Sequence, residues 1–274
     1  MKTILLTGAT GFLGAEVYSF LKDRNHNIIP LVRRKSGLKG EIEIDLCANN
    51  LKSSISNLPH FDALVHLAAY IDFSTDFNPE HFCANSLATN DLALLAAVRN
   101  AHFIFTSTVA VYGKKTDYID ENTSVNPDTP YALSKWLGEE FLRRVCPTYT
   151  ILRLAGIYGR NGPEHLGLNK AISGALRGEA PVLAGSGSGK RNYIFVKDAA
   201  AAITCVLENK ITGTYLTSGS EVLSIREMLD IICEEFLPQA KIKHQEGFSE
   251  TNQIMKNSPK LPRTRAFKEA LKSL

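Results

Sequence analysis

Through its first half the chain alternates short apolar runs with amphipathic stretches. Lys2 to Thr7 is an isoleucine- and leucine-rich run ended by glycine, which predicts a buried strand. Apolar residues then recur at helical spacing at Phe12, Leu13, Val17, Phe20 and Leu21. Further strand-like runs lie at Ile28 to Val32, Glu41 to Asp45, Ala63 to Leu67, Phe103 to Thr106 and Thr150 to Leu154, with helical patterns at Asn85 to Arg99 and Tyr131 to Val145. Strand and helix in alternation bury both faces of a parallel sheet, so the fold class is α/β, a Rossmann-like doubly wound parallel sheet.

After about Gly156 the alternation gives way to shorter elements and a Gly/Ser cluster at Gly185 to Gly189. Residues 1–156 are therefore expected to form a dinucleotide-binding domain. Residues 157–274 are expected to form mainly a smaller substrate-binding subdomain, with segments at about 190–220 returning to the first. In that half Ala199 to Leu207 and Ile225 to Phe236 read as helices, and Gly213 to Thr217 as a strand rejoining the main sheet. The basic stretch Lys256 to Lys272 reads as a solvated, partly helical terminus.

Composition narrows the function. The 274 residues carry 31 basic and 28 acidic side chains, mixed along the chain for a net charge of +3. No basic stripe of the kind nucleic acid requires is present in the sequence, which leaves a small-molecule substrate. Cys47, Cys83, Cys146, Cys205 and Cys233 are widely spaced without a C-x-x-C pair, which predicts free thiols in a reducing cytoplasm and no metal site. The apolar start Met1 to Leu6 stops at Thr7-Gly8, too soon for a secretory signal, and no run approaches the ~20 apolar residues of a membrane span. A cytoplasmic protein that does not engage a membrane is expected.

Candidate chemistry begins at Thr7-Gly8-Ala9-Thr10-Gly11-Phe12-Leu13-Gly14, placed between the first strand and the first helix, where unpaired backbone N–H groups meet a dinucleotide diphosphate. Glycine lets the phosphate approach. At the end of the second strand, Leu31-Val32-Arg33-Arg34-Lys35 offers three cations and no carboxylate, which favours NADP over NAD, with Arg33 the best match to the extra phosphate. Tyr131 and Lys135, four residues apart in a helix opened by Pro130, share a face on which the ammonium can lower the phenol pKa for acid/base work. The strand Phe103 to Thr108 ends in Thr106, Ser107 and Thr108, any of which could hydrogen-bond a reacting carbonyl at the ligand-facing end of a parallel sheet. Gly185 to Lys190 is not a nucleotide-triphosphate loop, because Ala184 and Arg191 stand at its defining positions.

Taken in order, these pieces, with Asp45-Leu46, His66-Leu67-Ala68-Ala69, Asn85, Val111-Tyr112-Gly113, Arg153 with Tyr158-Gly159, and Arg191 to Asp198, resemble the extended short-chain dehydrogenase/reductase family of nucleotide-sugar epimerases, dehydratases and ketoreductases over nearly the whole chain. The resemblance implies Tyr131 as acid/base, Lys135 on the nicotinamide ribose, and Thr108 in the catalytic Ser/Thr position. It also implies Gly8, Thr10, Gly11, Phe12, Leu13, Gly14, Arg33, Arg34, Asp45, Leu46, Leu67, Ala68, Ala69, Asn85 and Thr106 along the cofactor. Ser107 and Thr108 fall to the substrate, Arg191 falls to the diphosphate of a nucleotide sugar, and a homodimer through the 85–99 and 131–145 helices is implied. One departure stands out: Gly156 occupies the place where many family members carry a substrate-contacting asparagine. Arg191 has a structural alternative, a salt bridge tying the subdomain to Asp198 or a neighbour. The expected activity is an NADPH-dependent ketoreductase of a nucleotide-linked keto-deoxysugar. The alternatives are a nucleotide-sugar epimerase or dehydratase with tightly held NAD and a non-catalytic dinucleotide-sensing or scaffold protein.

Overall fold

The computed structural model describes residues 1–247 and 251–274. A seven-stranded sheet runs in the order Gly213–Thr217, Tyr149–Leu154, His102–Thr108, Ala63–His66, Thr3–Thr7, Asn27–Val32, Ile42–Glu43. Thr3–Thr7 pairs in parallel on both sides, Leu5 facing Ile29 of one neighbour and Leu64 of the other. The chain thus winds in opposite senses on either side of the first strand, and this reversal opens a crevice at the strand carboxyl ends, where α/β sheets take ligands.

Burial explains the apolar runs. Ile4, Leu5, Leu6, Leu64, Val65, Phe103, Ile104 and Phe105 are all fully buried, as strands covered on both faces must be. On one face Leu92, Ala93 and Ala96 of the helix Ala88–Val98 and Leu142 of the helix Pro130–Val145 join Leu5, Leu64, Phe103 and Ile151 in one core cluster. The chain divides into two compact units. One comprises residues 1–113, 125–153 and 200–215, and the other residues 114–124, 154–199 and 216–274. Within the second, Ile225–Phe236 starts from a reciprocal cap between Ser224 and Glu227, each side chain bonding the other's backbone N–H.

Three elements differ from expectation. The run Glu41 to Asp45 forms only the two-residue edge strand Ile42–Glu43. The pattern Asn85 to Arg99 begins with a π-helical turn, Cys83–Leu87, before the α-helix Ala88–Val98. The basic terminus is not wholly solvated, because the short helix Phe267–Lys272 buries Phe267, Ala270 and Leu271, with the Phe267 ring 5.0 Å from that of Tyr158. Among the described residues no helix is long and apolar enough to cross a membrane, and no acidic, His or Cys cluster could hold a metal ion.

Candidate active site

The glycine turn is built first by the chain's own packing. Gly8 has φ +72°, and a Cβ there would stand 2.7 Å from the Ala68 backbone nitrogen. A Cβ on Gly14 would fall 1.9 Å from the Gly8 carbonyl oxygen. Only Gly11 is held by looser contacts, its nearest neighbour 3.2 Å from a Cβ. Two of the three glycines are therefore needed for strand, turn and helix to close on one another, a reason different from ligand access. Gly11 is the N-cap of Phe12–Asp23, with no side chain capping that end and no acidic residue in its first turn. The unpaired amides and positive end of the helix dipole are thus uncompensated, a donor set that fits a dinucleotide diphosphate. Thr10 is exposed and Phe12 and Leu13 are half-buried at this mouth.

Behind the turn lies a buried polar chain. Thr7 Oγ1 accepts from the backbone N–H groups of Leu67 and Ala68, both at 3.2 Å, so its own proton goes to His66 Nδ1, 2.7 Å away. That leaves His66 Nε2 to donate to Thr89 Oγ1 at 3.1 Å, and Thr89 donates to the Asn85 carbonyl at 2.8 Å. Burial, and secondarily the charge of Lys135, pushes the His66 pKa down to about 3, so the ring is neutral as this pattern demands. Leu67 and Ala68 are thereby fixed beside Gly8, and Thr106 Oγ1 ties the next strand to the His66 carbonyl at 3.3 Å.

Asn85 is fully buried and its amide is committed to the protein: Oδ1 accepts from Tyr70 N, while Nδ2 donates to Tyr70 O and Ser134 Oγ. In this structure its side chain clamps the Tyr70 loop to the helix carrying Tyr131, and the π-helical turn gives its carbonyl the close approach that Gly138 accommodates.

Thr108 and Tyr131 come together. Thr108 caps the turn that follows its strand by accepting from Ala110 N, and its hydroxyl hydrogen-bonds the Tyr131 phenol. Burial pushes the Tyr131 pKa up to about 12, a rise that Thr108 moderates by favouring the phenolate. The Phe73 and His81 rings lie 5.3 and 6.3 Å from that of Tyr131. Lys135, 2% exposed, places Nζ 4.0 Å from the centre of the Phe105 ring, and burial drives its pKa down to about 7. The spacing predicted that Lys135 would lower the phenol pKa. In this structure burial dominates the phenol and the Thr108 hydrogen bond opposes it, while the Lys135 ammonium lies over the Phe105 ring. A phenol that holds its proton at neutral pH, hydrogen-bonded to a hydroxyl and one helical turn from a buried lysine, is equipped to deliver a proton to an oxygen.

Other predicted positions fare differently. Arg33, Arg34 and Lys35 are exposed, and the backbone N–H groups of Ser36, Gly37 and Leu38 that follow converge on the Glu41 carboxylate at 2.9 to 3.2 Å. With the Ser36 hydroxyl the largest influence, these bonds hold the Glu41 pKa down to about 2. Asp45 accepts from Cys47 N, and Leu46 packs partly against the core. Ser107 lies close enough to the Glu139 carboxylate to help hold its pKa down, short of a well-aligned hydrogen bond. Arg191, in the second unit, donates to the carbonyls of Lys190 and Thr251 and bonds Tyr193. Asp198, one of the two ion-pair partners offered for it, pairs with Arg265. Gly156 is a steric necessity: a Cβ there would sit 2.5 Å from the Tyr193 ring.

The sequence reading missed Glu139. It is fully buried, accepts from Arg153 Nε and Nη2 and from Arg143 Nη2, and completes a run of residues four apart from Tyr131 through Lys135 to Arg143. The signal was an acidic residue two four-residue steps after Tyr131.

The pattern of the NAD dependent epimerase/dehydratase family matches residues 4–216. A protein described as a putative UDP-glucose 4-epimerase from Methanocaldococcus jannaschii is 30% identical over 264 residues, covering 89% of this chain and 83% of its own. A UDP-N-acetyl-alpha-D-glucosaminuronate decarboxylase from Bacillus cytotoxicus is 28% identical over 270 residues, with 89% and 83% covered. Among solved structures, a UDP-N-acetylglucosamine 4-epimerase from Bacillus cereus superposes with a TM-score of 0.85 at 24% identity, covering 100% of this chain and 98% of that one. The dTDP-4-dehydrorhamnose reductase from Yersinia enterocolitica does so at 0.82 and 21%, again covering 100% and 98%. These two structures share the fold. With the glycine turn, the Tyr131 site and a family match over most of its length, the chain belongs to the NAD-dependent epimerase/dehydratase family.

Proposed function

We propose that the protein is a nucleotide-sugar epimerase that uses bound NAD to oxidise and then reduce one secondary carbon, with Tyr131 as acid/base. The observation that carries the choice of cofactor is Glu41. The amides after Arg33-Arg34-Lys35, the place where an extra ribose phosphate would be expected, hold an internal carboxylate. The relatives that span the chain are described as epimerases and a decarboxylase, which supports the same reading.

When bound, the nicotinamide supplies the hydride acceptor and donor. The chain's own part is positional and electrostatic. The first-turn amides of Phe12–Asp23 would hold the diphosphate, and the Ala68 backbone fixed by Thr7 would line the approach. Thr108 aligns the sugar oxygen. As the alcohol is oxidised, Tyr131, ionised for that step, takes the hydroxyl proton, and as the carbonyl is reduced it returns that proton to the oxygen. Lys135 completes the site as the buried cation.

The second reading is the NADPH-dependent ketoreductase of a nucleotide-linked keto-deoxysugar, favoured by the three exposed cations at Arg33, Arg34 and Lys35. Purified protein that carries NAD and interconverts a UDP-sugar pair without added cofactor supports the epimerase. Stoichiometric consumption of added NADPH with a keto-sugar, lost in Arg33→Ala, sinks it. Glu41→Ala should raise affinity for NADPH and leave that for NADH unchanged. Tyr131→Phe should abolish turnover while keeping cofactor binding, and an unchanged turnover would overturn the acid/base assignment.

A further inference from the structure

Tyr131, Lys135, Glu139 and Arg143 form one stripe down the helix Pro130–Val145, and the lower half of the stripe plays no part in the reaction described above. Glu139 is fully buried and doubly engaged: Arg153 grips it with Nε at 3.0 Å and Nη2 at 2.6 Å, and Arg143 with Nη2 at 2.7 Å. Arg153 is held in turn by the Tyr112 hydroxyl at 2.6 Å. Despite burial, these bonds keep the Glu139 carboxyl below its usual range, so it is a full negative charge one helical turn from Lys135. Around Lys135 stand the Phe105 ring and the neutral His66, with the protonated Tyr131 one turn earlier on the same helix. Among the described residues, Glu139 is the carboxylate that raises the proton affinity of Lys135.

We propose that Glu139 is a positioning residue for the reaction: clamped by Arg143 and Arg153, it supplies the negative charge that keeps Lys135 cationic one turn away on the same helix. Arg143, which also pairs with Glu140, tempers that charge from the more exposed end of the stripe. The proposal rests on the reading of Lys135 as the working cation of the site.

The test reads Lys135 directly, whether or not a sugar turns over. In lysine-labelled protein the side-chain NMR signal of Lys135, assigned by its loss in Lys135→Met, is followed against pH in wild type, Glu139→Gln and Arg143→Met. Removing the anion should move its titration down by about one pH unit, and removing the cation should move it up by about half a unit. Where turnover is measurable, its alkaline limb should shift in the same two directions. A merely structural carboxylate predicts lower thermal stability with no displacement, or displacements of the same sign, and either result overturns the proposal. Should Glu139→Gln fail to fold, Arg143→Met alone decides: an upward shift upholds the proposal and an unmoved titration rejects it. Absence of turnover alongside opposite NMR shifts would instead count against the epimerase reading alone.

Discussion

Replacing Lys135 by methionine should kill the enzyme and stabilise the fold. The side chain is buried, and burial drives its pKa from 10.5 down to about 7. At 1.36 kcal/mol per unit, such a fall corresponds to roughly 5 kcal/mol of cost for holding the ammonium inside rather than in water. Local relaxation and the contact with the Phe105 ring, itself worth about 1–2 kcal/mol, reduce the net, so a gain of about 1–3 kcal/mol is expected at pH 6. The sign follows from proton counting. Between the folded value near 7 and the unfolded value near 10.5, the unfolded chain binds the extra proton, so wild-type stability rises with pH relative to the variant. The advantage of Lys135→Met is therefore full below about pH 7 and vanishes by about pH 10.5. Urea midpoints for both proteins at pH 6, 7.5 and 9 measure it. Parallel stability curves over that range, or a variant less stable at pH 6, would refute the reasoning that Lys135 is held there against its own solvation.

Gly14→Ala should cost well over 2 kcal/mol and lower soluble yield, because the new methyl meets the Gly8 carbonyl rather than a movable side chain; an unperturbed melting temperature would contradict the geometry. Gly156→Ala should destabilise by about 1–3 kcal/mol and be rescued in part by Tyr193→Ala, a coupling that a double-mutant cycle in urea would register and additive losses would deny. Leu87 at the end of the π-turn and Leu94 and Val98 on the helix that follows are exposed and spaced along one face, so if this face carries the expected homodimer, Leu94→Glu with Val98→Glu should yield monomer in sedimentation velocity. A wild-type protein already monomeric at micromolar concentration would remove that expectation.

Much of the architecture was legible because its cause is local. Strands such as Ile4 to Leu6 and Phe103 to Phe105 are apolar on both faces, and only a doubly covered sheet buries both. Tyr131 and Lys135 were found because four-residue spacing in a helix is itself a geometry. What spacing left out was electrostatic outcome. Burial of the phenol holds its pKa high, and the ammonium lies over the Phe105 ring; no residue order encodes either outcome. Long-range partners were equally hidden. Asn85 reads as a ligand contact until Tyr70 and Ser134 are seen to occupy its amide, and Arg191 reads as an ion-pair partner of Asp198 until Arg265 is found there. Glu41 lay inside a predicted strand, and its role depends on a turn that brings three backbone donors onto it.

The glycine turn changes what such a motif can testify to. If Gly8 and Gly14 are demanded by the contacts of strand with turn and of turn with helix, selection for folding alone will preserve them after any loss of ligand. A descendant of this chain could exchange Tyr131 or Lys135, cease to react, and still display the full Thr7-to-Gly14 signature. The turn is therefore a marker of ancestry and of a foldable sheet. In a newly met relative, evidence of living chemistry has to be sought one hundred residues further on, in the hydroxyl, phenol and amine that share no packing obligation with it.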